Sequence, residues 1–167
     1  LAHEYLPDHD ISVYIDSSLQ LVQSDVVEMI SECMEGSDIA LYRHYKRSCV
    51  YDEIEFVMAS TDRVVASKEQ CITVINKYRS IGYPEKNGLF ENAFIFRRNT
   101  DQIKKLNELW WNEYASGPER DQFTFMYALW ISGISPNAIT HGQQFRDNKY
   151  VKFFGHKYRP SFSSDRQ

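Results

Sequence analysis

An α/β layer fold is predicted by two features of the sequence: short β-branched and aromatic runs, and capped amphipathic stretches alternating with them. Residues 12–15 (SVYI) form the first such run and lead straight into Asp16. Ser24 is placed to cap a helix that carries Val26, Val27, Ile30 and Met34 on one side and stops at Gly36. Residues 39–42 (IALY) are a second strand, and 50–59 read as helical. Ser67 and Gln70 stand at capping-box spacing. Ile72, Ile75 and Tyr78 then repeat at helical intervals, and Gly82 sits where a helix ends. Residues 93–96 (AFIF) are the third strand. Thr100 caps a helix through Leu106, Leu109, Trp110 and Glu113, which Gly117-Pro118 breaks. A last helix spans 119–132 and ends at Gly133. Residues 144–160 are basic and aromatic, with Arg146, Lys149, Lys152, Lys157 and Arg159 interleaved among Phe145, Tyr150, Phe153, Phe154 and Tyr158.

The chain has 167 residues, near the ~150-residue unit of one domain. No repeat or linker divides it, so one domain over 1–160 with a short tail at 161–167 is expected. A hydrophobic share of 43% and a charged share of 25% suit a packed core and exclude disorder. Seven Gly and five Pro exclude collagen-like and low-complexity chains. Lys plus Arg number 19 against 23 Asp plus Glu, a net charge of -4, which argues against a nucleic-acid partner. That acidity also weighs against an RNA-binding module built on the basic aromatic segment. No apolar run approaches the roughly 18 residues of a membrane span, and the first ten residues lack the regions of a signal peptide. A cytoplasmic location is therefore expected. Three cysteines without CxxC spacing give neither a disulfide framework nor a zinc site.

Four segments carry groups suited to chemistry. Asp16 ends a strand, where open α/β sheets place their ligands, and with Ser18 it offers hard oxygens to Mg²⁺ or Mn²⁺ or an acceptor to a ribose hydroxyl. The plainer reading is a turn in which Asp16 caps local backbone N–H groups. Glu91 and Asn92 stand at a strand entrance and offer an acceptor and an amide to sugar hydroxyls; the alternative is an exposed strand start. Glu119, Arg120, Asp121 and Gln122 open an apolar helix, either as simple capping or as a positioned general base. His156, Lys157 and Arg159 suit a metal or a diphosphate, and equally a solvated basic segment.

Taken in order, SVYIDSSLQL, IALYRHYKRSCVYDE, YRSIGYPEKNGLFENAFIFRRNT and LWWNEYASGPERDQFTFMYALW resemble a glycosyltransferase-like family of the GT-A fold. Plant mucilage-synthesis proteins, bacterial polysaccharide enzymes and small glycosyltransferases of large algal viruses carry comparable patterns. The similarity covers roughly residues 5–130, and the WWNE-to-RDQ block is its most specific part. It implies a mixed sheet flanked by helices. Only fifteen residues precede Asp16, so the N-terminal nucleotide-binding βαβ part of such a domain is expected to be missing here.

The resemblance also implies roles. Asp16 matches the first position of an Asp-x-Asp motif that holds a nucleotide-sugar diphosphate through Mn²⁺ or Mg²⁺, and Ser18 falls where the second Asp belongs. A hydroxyl is a poorer ligand than a carboxylate, so weak metal binding without nucleotide is expected. His156 resembles a C-terminal metal ligand, with His141 as the substitute, and Lys157 is placed near the diphosphate. Asp121, with Glu91 second, becomes the base. Asn92, Arg120 and Gln122 become sugar contacts. The implied activity moves a sugar from a nucleoside-diphosphate donor, a UDP-sugar, to a hydroxyl of a glycan or glycoprotein. The competing reading is a catalytically inactive nucleotide- or carbohydrate-binding domain.

Overall fold

The computed structural model describes residues 2–22, 24–60, 66–118, 120–139 and 148–154. Helix α1 (Ala2–Tyr5) precedes strands β1 (Ile11–Ile15) and β2 (Leu19–Leu21), helix α2 (Val26–Cys33) and strand β3 (Ile39–Arg43). Helices α3 (Val50–Ala59) and α4 (Lys68–Ser80) lead to β4 (Phe90–Arg98). Helices α5 (Asp101–Ser116) and α6 (Asp121–Ser132) follow, then strands β5 (Asn137–Ala138) and β6 (Val151–Phe153). Four strands make a mixed sheet in the order β1-β4-β3-β5, and β2 pairs with β6 in a second, two-stranded sheet. The expected mixed α/β layering is therefore present.

Direction within the sheet decides where the chemistry collects. Strand β4 runs antiparallel to both β1 and β3, while β3 and β5 are parallel. The C-terminal ends of β1 and β3 thus lie at the edge where β4 begins. That edge gathers Asp16, His44, Glu91 and Asn92 although they are far apart in sequence.

Each sheet face has its own core. Ile39, Leu41 and Ile95 pack with helices α3 to α6, where Ile54, Val74, Leu106, Phe123 and Phe125 are buried. Ala40, Tyr42, Phe94 and Phe96 point the other way and pack with Met29 and Cys33 of α2 and with Tyr150 and Val151. Alternation in β3 and β4 sends successive side chains to opposite faces. This is why both strands are apolar throughout their centres.

The alternation is interrupted once. Leu41 pairs with Ile95, yet the next residue, Tyr42, pairs with Glu91. One step along β3 therefore spans four along β4, a bulge that reverses the parity of β4. Phe90 and Asn92 ahead of the bulge, and Ile95 and Arg97 after it, all reach the α5–α6 side.

Several local expectations hold. Ser67 and Gln70 form a reciprocal capping box, and Thr100 Oγ1 accepts from the Ile103 N–H. Gly36, Gly82 and Gly133 have φ of 67°, 77° and 67°, a left-handed region that glycine enters without strain. The α2 cap is Asp25 rather than Ser24: its carboxylate accepts from Glu28 N at 2.9 Å, three residues on, the spacing that an N-cap requires. The strand expected at 93–96 is longer, because β1 carries its ladder on to Arg98 and β3 carries it back to Glu91 and Phe90.

The basic aromatic segment needs a larger correction. Residues 148–154 are an integral strand and its approach. Tyr150 and Val151 are fully buried, β6 pairs with β2, and Phe154 N donates to Ser18 O at 2.9 Å. The Tyr150 hydroxyl donates to Glu32, as does Lys149 Nζ, so these groups hold α2 rather than a ligand. Residues 140–147 and 155–167, including His141, His156, Lys157 and the 161–167 tail, lie outside the described residues. Among the described residues, no helix is long and apolar enough to cross a membrane.

Val151→Ala is expected to cost about 2 kcal/mol, because it removes two fully buried methyl groups from the second core. Urea unfolding checks this. An unchanged midpoint would show that β6 is only laid on the surface.

Candidate functional site

At the end of β1 the chain folds into a tight turn around Asp16. The Asp16 N–H donates to Ala93 O at 2.8 Å, and its carbonyl accepts from Leu19 N at 2.9 Å. Its Oδ1 accepts both the Ser18 N–H, at 2.8 Å, and the Ser18 hydroxyl, at 2.6 Å. Ser18 is itself buried. Its side chain therefore orients the Asp16 carboxylate, and its proton is already used in doing so.

A cavity of about 410 Å³ lies beside this turn, lined by Tyr14, Asn92, Ile95 and Arg97 of the sheet, by Asn107, Trp110, Trp111 and Tyr114 of α5, and by Asp121 of α6. The volume falls in the ~300–1,000 Å³ range of small-ligand sites. Helical spacing explains the α5 contribution: residues 107, 110, 111 and 114 share one helix face. Trp110 is anchored, with its Nε1–H donating to Thr124 Oγ1 at 3.1 Å and its ring 4.6 Å from Phe125. Trp111 is 54% exposed and stacks on Tyr114 at 6.2 Å. The two rings form a ledge at the cavity rim.

Polar groups meet that ledge. Asn92 Nδ2 donates to Asp121 Oδ2 at 3.4 Å. Asn92 adjoins Ala93, whose carbonyl accepts from the Asp16 N–H, so the Asp16 turn is tied to the strand that meets Asp121. Tyr14 feels both aspartates: burial first, then the charges of Asp16 and Asp121, push its phenol up, while Arg97 opposes the shift. It remains a hydrogen-bond donor at neutral pH. Asn92 Oδ1 and Arg97 Nε are buried without a hydrogen-bond partner. Buried polar atoms are almost always satisfied, so two orphans on residues that line one cavity are a notable departure.

A second assembly stands behind Asp121. Glu53, only 1% exposed, is bracketed by two guanidinium groups: Arg47 Nε donates to Oε2, and Arg120 Nη2 donates to Oε1 at 2.8 Å. Arg120 also donates to Gln122 Oε1 at 2.6 Å, and Gln122 Nε2 donates to Phe90 O at 3.2 Å. His44 closes the cluster. Its Nδ1 accepts from the backbone N–H groups of Lys46 and Arg47, and its Nε2 lies 3.1 Å from Arg47 Nη2. The same Nε2 faces Glu91 Oε1 at 3.5 Å and Glu53 Oε2 at 3.9 Å. Burial, then Arg47, lowers the His44 pKa to about 4, against the partial support of Glu53. The imidazole is neutral at pH 7.

These placements sort the residues singled out from sequence. Asp121 and Asn92 line the cavity, and Asp16 with Ser18 forms the neighbouring turn. Glu91 faces His44, while Arg120 and Gln122 are engaged with Glu53 and Phe90 behind the wall. Glu119, His141, His156 and Lys157 lie outside the described residues. Among the described residues no three His, Cys, Asp or Glu side chains converge as a metal site. They therefore offer a cation one oriented carboxylate, Asp16, rather than a complete ligand set. Tyr14, Arg97, Asn107, Trp110, Trp111 and Tyr114 were not singled out as ligand contacts. The Trp pair was visible within the WWNE block, but only the packing of α5 on α6 brings it to the cavity that Asp121 lines.

Residues 1–158 match the protein-family model described as TOD1/MUCI70, glycosyltransferase-like domain. Comparison with curated proteins and with solved structures gives no match.

The buried His44 makes stability sensitive to acid. Its folded pKa is below the ordinary 6.5, so the unfolded chain takes up the proton first. Its contribution is complete above pH ~6.5 and is lost as pH falls towards about 4. Thermal melts from pH ~7.5 down to ~4, a range that spans both pKa values, are expected to show a falling midpoint, with a shallower fall for His44→Gln. Parallel acid limbs in the two proteins would remove His44 as the cause.

Proposed function

The chain belongs to the TOD1/MUCI70 glycosyltransferase-like family, and from that premise we propose that it transfers a sugar from a nucleoside-diphosphate donor, a UDP-sugar, to a hydroxyl of a glycan. The observation that carries this reading is the cavity itself: an aromatic ledge on α5, polar side chains of the sheet and a half-exposed carboxylate of α6 line one space. A pyranose presents an apolar C–H face and a ring of hydroxyls. Trp111 and Tyr114 suit the first, and Asn92, Asn107 and Tyr14 suit the second.

In this reading Asp121 is the base. Its carboxylate takes the proton from the acceptor hydroxyl as that oxygen bonds to the anomeric carbon, and the bond from that carbon to the diphosphate breaks. Asn92 holds Asp121 through its amide, and Arg120 stands 4.0 Å behind it, itself fixed by Glu53. Glu91 is the weaker candidate because it faces His44 within the inner cluster. Asp16 serves the donor side, as the carboxylate presented to the diphosphate and to whatever Mn²⁺ or Mg²⁺ accompanies it. The mixed sheet with helices on both faces supports the GT-A assignment.

One observation favours a second reading, a binding domain without transfer. The Ser18 hydroxyl is committed to Asp16, so the position of the second motif carboxylate offers the donor little. A transfer assay over a panel of UDP-sugars and glycan acceptors, run beside calorimetric UDP titration, separates the two. Binding without transfer or donor hydrolysis would select the second.

Asp121→Asn is expected to lower turnover roughly 10²-fold with donor affinity nearly unchanged, the scale of a lost general base. Steady-state kinetics decide it, and near-normal turnover would return Asp121 to a helix-opening role. Asp16→Asn is expected to weaken UDP binding in the presence of Mn²⁺ about tenfold or more while the melting midpoint holds. Wild-type affinity in that variant would remove Asp16 from the donor site.

A further inference from the structure

Arg97 is the group that the proposed transfer does not use. It lies in the middle of the cavity wall, mostly below the surface, on the α5–α6 side of β4. Its one side-chain hydrogen bond among the described residues runs from Nη1 to Asn107 Oδ1 at 3.1 Å. No carboxylate of the described residues lies within ion-pair distance of it, and its Nε is buried and unpartnered. Asp121 shares the cavity, but its carboxylate lies 4.0 Å from Arg120 Nη1 rather than against Arg97.

A guanidinium in this position is unusual in physical terms. Burying a charge without a counter-charge is costly, and proteins normally pair it. Glu53 and Glu113 show the ordinary solution in the same chain: Glu53 has two Arg partners, and Glu113 has Lys77 at 2.7 and 2.5 Å. Arg97 has only an amide oxygen. That amide pins Nη1, and Nε is enclosed, so Nη2 is the donor left to meet a carboxylate or phosphate oxygen with a charge-assisted bond. The aromatic ledge beside it is shaped for a ring rather than a bare ion.

We propose that the Arg97–Asn107 corner binds an oxyanion belonging to the ligand in the cavity, so that the bound sugar is an anionic one. The proposal rests on the reading of the cavity as a sugar site. Its oxyanion has two chemical sources: a carboxylate on the sugar ring, as in a uronic acid, or a phosphate attached to the sugar. The positive charge at Arg97 and the negative charge at Asp121 give the cavity two unlike ends. The anionic substituent lies at the first, and a hydroxyl can lie at the second.

The test uses the full chain and calorimetric or NMR-detected binding of methyl glucuronide, methyl glucoside and glucose 1-phosphate. One of the two anionic ligands is expected to bind about tenfold or more tighter than methyl glucoside, the gain of one charge-assisted pair, and the tighter one identifies the source. Arg97→Gln is expected to bring the three affinities together. Arg97→Lys, which keeps the charge without the fork, is expected to retain only part of the preference. Trp111→Ala, at an exposed position, guards against misfolding as the cause and is expected to weaken all three ligands alike.

Equal affinity for charged and neutral ligands in the wild-type chain would overturn the oxyanion inference and leave the sugar cavity standing. Retention of the anionic preference in a folded Arg97→Gln protein would overturn it as well. Absence of binding by all three ligands to the folded wild-type chain would overturn both readings.

Discussion

The carboxylate of Glu53, almost wholly removed from water, constrains everything on the α6 side of the sheet. A buried carboxylate needs cations around it, and this one takes them from two places far apart in the chain, Arg47 and Arg120. Arg47 follows β3, Glu53 lies in the first turn of α3, and Arg120 precedes α6. The same Arg120 group reaches Gln122, which reaches the backbone of Phe90. Four segments are thereby tied at one point, and the start of α6 is held against the start of β4. Asp121 is the next residue after that anchor. Its position is a consequence of how Glu53 is neutralised.

The bulge in β4 supplies the other half of the arrangement. An unbroken strand would send Asn92 and Arg97 to opposite faces, since their separation is an odd number of residues. The extra residues between the Tyr42 and Leu41 pairings put both on the α5–α6 side. Bulges commonly re-aim side chains beside functional sites, and the cost is a locally disrupted ladder. Here the disruption falls where Ala93 O is taken up by Asp16 N, so the bulge and the Asp16 turn support each other.

Rigidity behind the cavity comes from aromatic packing and a second paired acid. Tyr78 stacks on Tyr127 at 5.1 Å, Tyr83 meets Trp130 at 5.2 Å, and the Tyr78 hydroxyl reaches Phe123 O at 3.3 Å. Glu113 of the WWNE block is buried against Lys77 and ties α5 to α4. Within that block the tryptophans face the cavity and the glutamate faces the scaffold. A single run of four residues therefore serves both packing and recognition.

Local rules were legible in the chain by itself. Caps at Ser67 and Thr100, helix ends at Gly36, Gly82 and Gly133, and the apolar runs of β1, β3 and β4 depend on neighbours a few residues away. The chemical character of Asp16, Asn92 and Asp121 was legible for the same reason, as polar groups at the ends of apolar elements. Which of them meet was decided only by tertiary structure. Strand direction brings Asp16 and Asn92 to one edge, the β4 bulge turns Arg97 to the side of Asn92, and Glu53 draws Arg120 away from a ligand role. The burial of Tyr150 and Val151 likewise followed from pairing of their segment with β2, a partner about 130 residues earlier, and not from its basic composition. Hydrophobic periodicity reports what a segment can bury. It carries no record of the strand order, register and charge neutralisation that determine which buried and exposed groups end up side by side.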